Sequence, residues 1–184
     1  MSKSEFNRFV QQQQIDAERV AGFDPKRQLQ EWYDYLDLLY KKISLFMEQY
    51  VNANTASITY DNITLTEDFS GSYSIRRMLL KIGRSAITFT PIGTMLIGSK
   101  GRVEVQGPHG GARLILINKK VSHARQLISV RVSRLGDPPP PLPTVEDVKN
   151  IDWEWKIITP PPEMEFIELT EEAFFNMILT VANA

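Results

Sequence analysis

Apolar positions recur at helical spacing near the N-terminus and in alternation through the middle of the chain. Leu29, Trp32, Tyr33, Leu36, Leu39, Tyr40, Ile43, Met47 and Tyr50 follow a period near 3.6, which predicts a helix over Pro25–Tyr50. Its start is marked by Asp24-Pro25: the carboxylate can accept a free N–H, and proline is tolerated at the first helical position. Such a helix would run roughly 39 Å at about 1.5 Å per residue. A shorter helix is predicted upstream, from a cap at Ser4 to about Val20, with Gly22-Phe-Asp-Pro breaking the pattern between the two. The long helix is apolar beyond one stripe, because Tyr35, Leu38, Leu45 and Phe46 widen its face past the usual ~100°. Either it lies between a sheet and the first helix, or its outer side meets a second subunit, with Tyr35, Leu38 and Leu45 as the self-association surface of a homodimer.

Beyond Ser57 the period drops to two. Ser57–Leu65, Ser85–Pro91, Thr94–Ile97, Arg102–Gln106, Arg113–Ile117 and Gln126–Ser133 read as strands, and Tyr73–Ile82, bracketed by Gly71 and Gly83, as another. Pro91 requires an edge or a bulge. Ser99-Lys-Gly reads as a turn, and Gly107-Pro-His-Gly-Gly as a hairpin loop. The short connections imply antiparallel pairing, since parallel crossovers need more chain. Arg113–Ile117 is apolar on both sides except at Arg113, so part of its outer face should be covered.

A polyproline stretch, Pro138–Pro141, opens the last part and reads as a stiff spacer, with docking to an SH3-type or WW-type domain as the alternative. Asp152–Ile158 alternates as a strand with Trp153 and Trp155 on one face, and Phe166–Leu169 is a last strand. Thr170 caps a final helix whose buried face is expected at Phe174, Phe175, Ile178, Leu179 and Ala182. The fold class is therefore α+β: an N-terminal helical hairpin and a C-terminal helix packed on a mostly antiparallel curved sheet or open small barrel. Three segments make it up, 1–55 helical, 56–136 a basic β core and 137–184 a Pro-rich crossover, strand pair and helix, together one domain.

Charge adds what periodicity does not. The net charge of −1 hides a sorted distribution. Residues 70–134 carry twelve basic groups against Glu104 alone, net +11, while residues 1–69 carry −4 and 135–184 carry −8. If the strands are neighbours, Arg102, Arg113, Arg125 and Arg131 share one face. Guanidinium groups stay protonated, so either the acidic C-terminal part folds over them (Glu146, Asp147, Asp152, Glu154, Glu163, Glu165, Glu168) or an external anion does. The former is expected to contribute more.

Candidate chemistry is sparse. With no cysteine, disulfides, thiolate nucleophiles and Cys-based metal sites are excluded. His109 and His123 are the two histidines. Gly107, His109, Gly110 and Gly111 form a loop that could cradle an anion, but the pattern is neither a P-loop nor a dinucleotide fingerprint. No nucleophile–base–oxyanion set assembles, so no catalytic residue, metal or cofactor is assigned, and a small enzyme or anionic-ligand binder at this loop is an alternative. Nucleic-acid binding through the basic face is another, although only Tyr73 and Phe89 supply rings in the basic segment and single-strand readers interleave more. The expected function is a non-enzymatic binding or regulatory module acting on a protein partner through Arg102, Arg113, Arg125 and Arg131. No membrane-spanning run and no secretory signal are legible, so a cytoplasmic location is expected.

Overall fold

The computed structural model describes residues 24–67, 70–93, 99–123, 151–160 and 164–183. Helix α1 spans Pro25–Asn52, with the Asp24 carboxylate accepting from the N–H groups of Lys26 and Arg27 at 3.0 and 3.2 Å. It ends where Asn54 turns left-handed (φ 55°), a conformation asparagine adopts more readily than most residues. The first arm of the expected helical hairpin lies outside the described residues; what is described at this end of the chain is one long helix.

Seven strands follow in sequence order across one antiparallel sheet: β1 Ala56–Glu67, β2 Gly71–Ile82, β3 Ser85–Gly93, β4 Ser99–Gln106, β5 Gly111–Asn118, β6 Trp153–Ile158 and β7 Phe166–Glu168. Among the described residues the sheet is not closed, and β1 and β7 stand at its edges. Helix α2, Glu171–Ala182, closes the chain. The expected strand at Tyr73–Ile82 is β2, and its link to β3 is tight because Gly83 takes φ 56°. The expected disturbance at Pro91 is a register shift between Pro91 and Gly93. Ser99-Lys-Gly101 is not a turn. It is the start of β4, with the pairing to β5 slipping between Ser99 and Gly101. The glycine is there because Trp32 lies directly on it: a Cβ at Gly101 would sit 2.1 Å from the Trp32 ring. The expected strands at Thr94–Ile97 and Gln126–Ser133, and the polyproline segment, lie outside the described residues.

Both helices pack on one face of the sheet. A single apolar cluster joins Trp32, Leu36, Leu39 and Ile43 of α1 to Met78, Leu80, Ile87, Phe89, Val103, Val105, Leu114 and Leu116 of the strands and to Phe174, Ile178 and Val181 of α2. It draws on all three sequence segments. Trp153 and Trp155 share that face as expected; Trp155 is buried against Trp32, ring centres 6.0 Å apart, and its indole N–H donates to the Tyr35 carbonyl at 2.9 Å. In α2 the buried stripe is Phe174, Met177, Ile178 and Val181, whereas Leu179 is 55% exposed. Thr170 caps the helix as expected, accepting from the Ala173 N–H at 3.2 Å. The i, i+3, i+4, i+7 set through Met177 wins over the one through Leu179 because it faces Phe89 and the sheet.

The outer face is covered at one end. Ile115 and Ile117 form a second cluster with Phe166, Val121 and Ile158, the cover anticipated for β5. It comes from residues 119–123, which cross β6 to reach the far side of β7, where Ser122 accepts from the Phe166 N–H and His123 bridges Glu165. Lys156, 6% exposed, holds this crossover by donating from Nζ to the carbonyls of Lys119 and Val121 at 2.7 and 2.9 Å.

Candidate functional site

Alternation on β4 and β5 puts Arg102 and Glu104 on the outer side, and the register sets Arg113 directly across from Glu104. One carboxylate oxygen of Glu104 lies 3.2 Å from Arg102 Nε and 3.3 Å from Arg113 Nε. Two cations thus share one anion. Arg102 is about two-thirds buried at its side chain and Arg113 is about half exposed. Of the four arginines expected on this face, the structure brings these two together; Arg125 and Arg131 lie outside the described residues.

Beside this triad lies a cleft of about 630 Å³ between α2 and the ends of β4 to β7. Glu104 and Arg113 stand on its wall with Gln106, Asn176 and Thr180, while Ala112, Ile157, Met164, Ile167 and Met177 supply apolar surface. An apolar lining with a few polar groups is the usual make-up of a recognition pocket. Sequence reasoning could assign Arg113 to the outer face but could not bring α2 beside it.

Three more cations of the basic segment are paired, whereas Lys81, Arg84, Lys119 and Lys120 have no ion pair to another described residue. Among the described residues the segment's ion pairs run to the first part of the chain and to Glu104. Arg76 pairs with Asp37 of α1, Arg77 with Asp61 across the β1–β2 ladder, and Lys100 with Glu31 of α1. The C-terminal acids were expected over Arg102, Arg113, Arg125 and Arg131, and among the described residues none of them forms an ion pair with Arg102 or Arg113. Asp152, Glu154 and Glu168 follow the course of β6 and β7, Glu165 reaches His123, and Glu146, Asp147 and Glu163 lie outside the described residues. The pairings to α1 have a topological reason: α1 lies across the inner face of the sheet, so its acidic flank meets side chains of β2 and β4 that reach toward it.

Lys100 makes the least exposed of these ties. Its ammonium lies 5.2 Å from the Trp153 ring centre and 5.8 Å from that of Tyr35, and it bonds Glu31. Burial works against ionisation of Glu31, but its bonds to Lys100 and Arg27 outweigh that and hold its carboxyl below the ordinary 4.5. A carboxyl depressed by folding stabilises the native state above its unfolded value and loses that contribution as pH falls through the folded one. Glu31→Gln should therefore cost on the order of 0.5–1 kcal/mol at neutral pH, since the pair is a third exposed. In urea titrations at several pH values the gap to the parent should close below pH 4.5; a gap that stays constant would refute the assignment.

The glycine loop is docked on α2. Gly107 N–H donates to Gly110 O at 2.9 Å and His109 N–H to Val181 O at 3.0 Å, while Gln106 Nε2 reaches the carbonyls of Gly107 and Gly110. Two of its N–H groups are thus engaged by carbonyls, and it abuts the last turn of a helix, the end whose partial charge is negative. His109 is exposed. This is the environment of a structural hairpin loop, and it disfavours the anion cradle considered for Gly107, His109, Gly110 and Gly111.

The self-association trio divides. Leu38 and Leu45 are 57% and 68% exposed, whereas Tyr35 is half-buried and occupied by Lys100 and Trp155 on another flank of α1. Tyr73 and Phe89, the rings considered for base stacking, are both buried. Among the described residues no cluster of three His, Cys, Asp or Glu side chains could hold a metal ion, and no helix is long and apolar enough to cross a membrane. In comparisons with protein-family models, with curated proteins and with solved structures, nothing matches this chain.

Proposed function

We propose that this chain is a non-enzymatic binding module that takes up a segment of a protein partner at the cleft beside Arg102, Glu104 and Arg113. The observation that carries this reading is the shared carboxylate: one anion between two guanidinium groups leaves a unit of positive charge at the wall of a largely apolar cleft. The terminal nitrogens of both arginines have no hydrogen bond to another described residue, so each retains a planar fork suited to a carboxylate. The fitting partner segment is mixed, with apolar side chains for Ile157, Ile167 and Met177 and an acidic one for Arg113. Arg125 and Arg131 belong to the same expected face.

The test is fluorescence anisotropy with a labelled peptide alternating leucine and glutamate, and an oligonucleotide as comparator. The peptide should bind saturably at physiological salt. Arg113→Gln should weaken it roughly tenfold, the scale of one charge-assisted hydrogen bond, and adding Arg102→Gln should weaken it further. Arg84→Gln, at the exposed β2–β3 turn, should leave it within about twofold, as expected for a remote surface charge. Peptide binding indifferent to Arg113 would contradict the proposal. Tighter binding of the oligonucleotide, falling linearly in log–log form with salt, would favour nucleic acid instead.

A further inference from the structure

We propose that β1 pairs edge to edge with the β1 of a second copy of this chain, so that the two sheets become one. β1 is the first strand of the sheet and pairs with β2 over twelve consecutive residues without a register break. Among the described residues nothing pairs with its other side, which leaves an edge roughly 40 Å long at about 3.4 Å per residue. Proteins ordinarily blunt such an edge with lysine, proline, a bulge or a covering segment. β1, Ala-Ser-Ile-Thr-Tyr-Asp-Asn-Ile-Thr-Leu-Thr-Glu, has no lysine, arginine or proline. Both of its acids are engaged within the hairpin: Asp61 with Arg77, and Glu67 accepting from the Tyr73 hydroxyl. The opposite edge is protected by contrast. β7 has three residues, and the segment at Ser122 and His123 lies against it.

The surface flanking β1 indicates which strand it receives. A groove of about 530 Å³ runs between β1–β2 and α1, bordered by Leu45 and by Tyr60, which is 44% exposed. Its charged residues are Asp37, Glu48, Lys41 and Arg76, two of each sign. A two-fold contact sets a patch against its own copy, so the patch must carry both signs. A partner of uniform charge would call for a single sign, as at Arg102 and Arg113. A strand edge also presents donors and acceptors in equal number, and antiparallel pairing about a two-fold satisfies both without a second sequence. The inference is independent of the binding reading above.

Sedimentation equilibrium on the full chain, from micromolar to submillimolar concentration, should give twice the chain mass at the upper end. Thr59→Lys with Thr64→Lys, both at exposed positions, places lysines on facing strands and should return the monomer with an unchanged far-ultraviolet spectrum. Leu38→Glu, on the outward side of α1, should leave the dimer intact. Hydrogen exchange on the parent supplies a check that needs no variant: β1 amides should lose protection on dilution while those of α1 keep it. A parent that stays monomeric, a dimer that survives both lysines, or one abolished by Leu38→Glu with β1 amides unchanged on dilution would each overturn the proposal.

Discussion

Trp32→Ala should remove about 3–5 kcal/mol of stability, the range for emptying a large aromatic site. That is a large part of the roughly 5–15 kcal/mol that holds a typical domain together. Trp32 is 1% exposed and is the largest fully buried side chain of α1. Its ring lies over the bare backbone of Gly101 and packs against Trp155, so it joins helix, β4 and β6 at once. Neither neighbour can fill the space it would leave. Gly101 has no side chain, and Trp155 is held by its hydrogen bond to Tyr35 O. Equilibrium urea denaturation should show a midpoint shifted sharply down with little change in slope. A loss under about 1 kcal/mol would mean that the site collapses freely, and would contradict the close packing described here.

Gly101→Ala should be the second largest effect, and it acts from the other side of the same contact. A Cβ there would meet three ring atoms of Trp32 at 2.1, 2.7 and 2.8 Å. Real Cβ contacts do not come so close, so either the indole or β4 must move. Overpacking of this kind costs about 1–3 kcal/mol, and here the ring has buried neighbours on its other side. Shortening the tryptophan should relieve the clash. In a Trp32→Leu background the added cost of Gly101→Ala should fall to a fraction of its value, a coupling that a double-mutant cycle reads directly. Additive costs would show that the two residues do not press on each other.

Most of the strand order was legible in the sequence, and the parts that were not have identifiable causes. Alternation and turn glycines located β2, β3 and β5, and the missing N–H of Pro91 located the irregularity in β3. Double-sided apolarity in β5 correctly implied a cover over Ile115 and Ile117. Gly101 was misread because a glycine that admits a ring and a glycine that makes a turn look alike until the partner is known. In α2, Met177 and Leu179 are equally apolar, and only the position of the sheet decides which is buried. The sorting of charge along the chain is legible in the sequence, but the partner of each cation is not. Net charge by segment says nothing about which carboxylates a helix carries across a sheet, and it was Glu31 and Asp37 that arrived there. The cleft was invisible for the same reason: it is formed by α2 standing beside β4 to β7, some sixty residues after Arg113 in the chain.

These pairings sharpen the functional picture. A block of net charge +11 suggests a broad cationic surface, yet Arg76, Arg77 and Lys100 are individually matched. At Arg102 and Arg113 two cations share one acid beside a cavity, while Lys81, Arg84, Lys119 and Lys120 are also unmatched by any described acid. Exposed ion pairs contribute little to stability, about 0–1 kcal/mol each, so this arrangement adds little to the fold, and under the function proposed above it chooses where an acidic partner docks.

The proposed docking surface is tested most directly by following backbone amide resonances of the intact chain during titration with the leucine–glutamate peptide. Saturable shifts should concentrate at Arg102, Glu104 and Arg113 and at Asn176 and Met177 across the cleft, and should vanish with Arg113→Gln. Shifts confined to β1 or to the turn at Arg84, or none at saturating peptide, would remove this cleft as the recognition site.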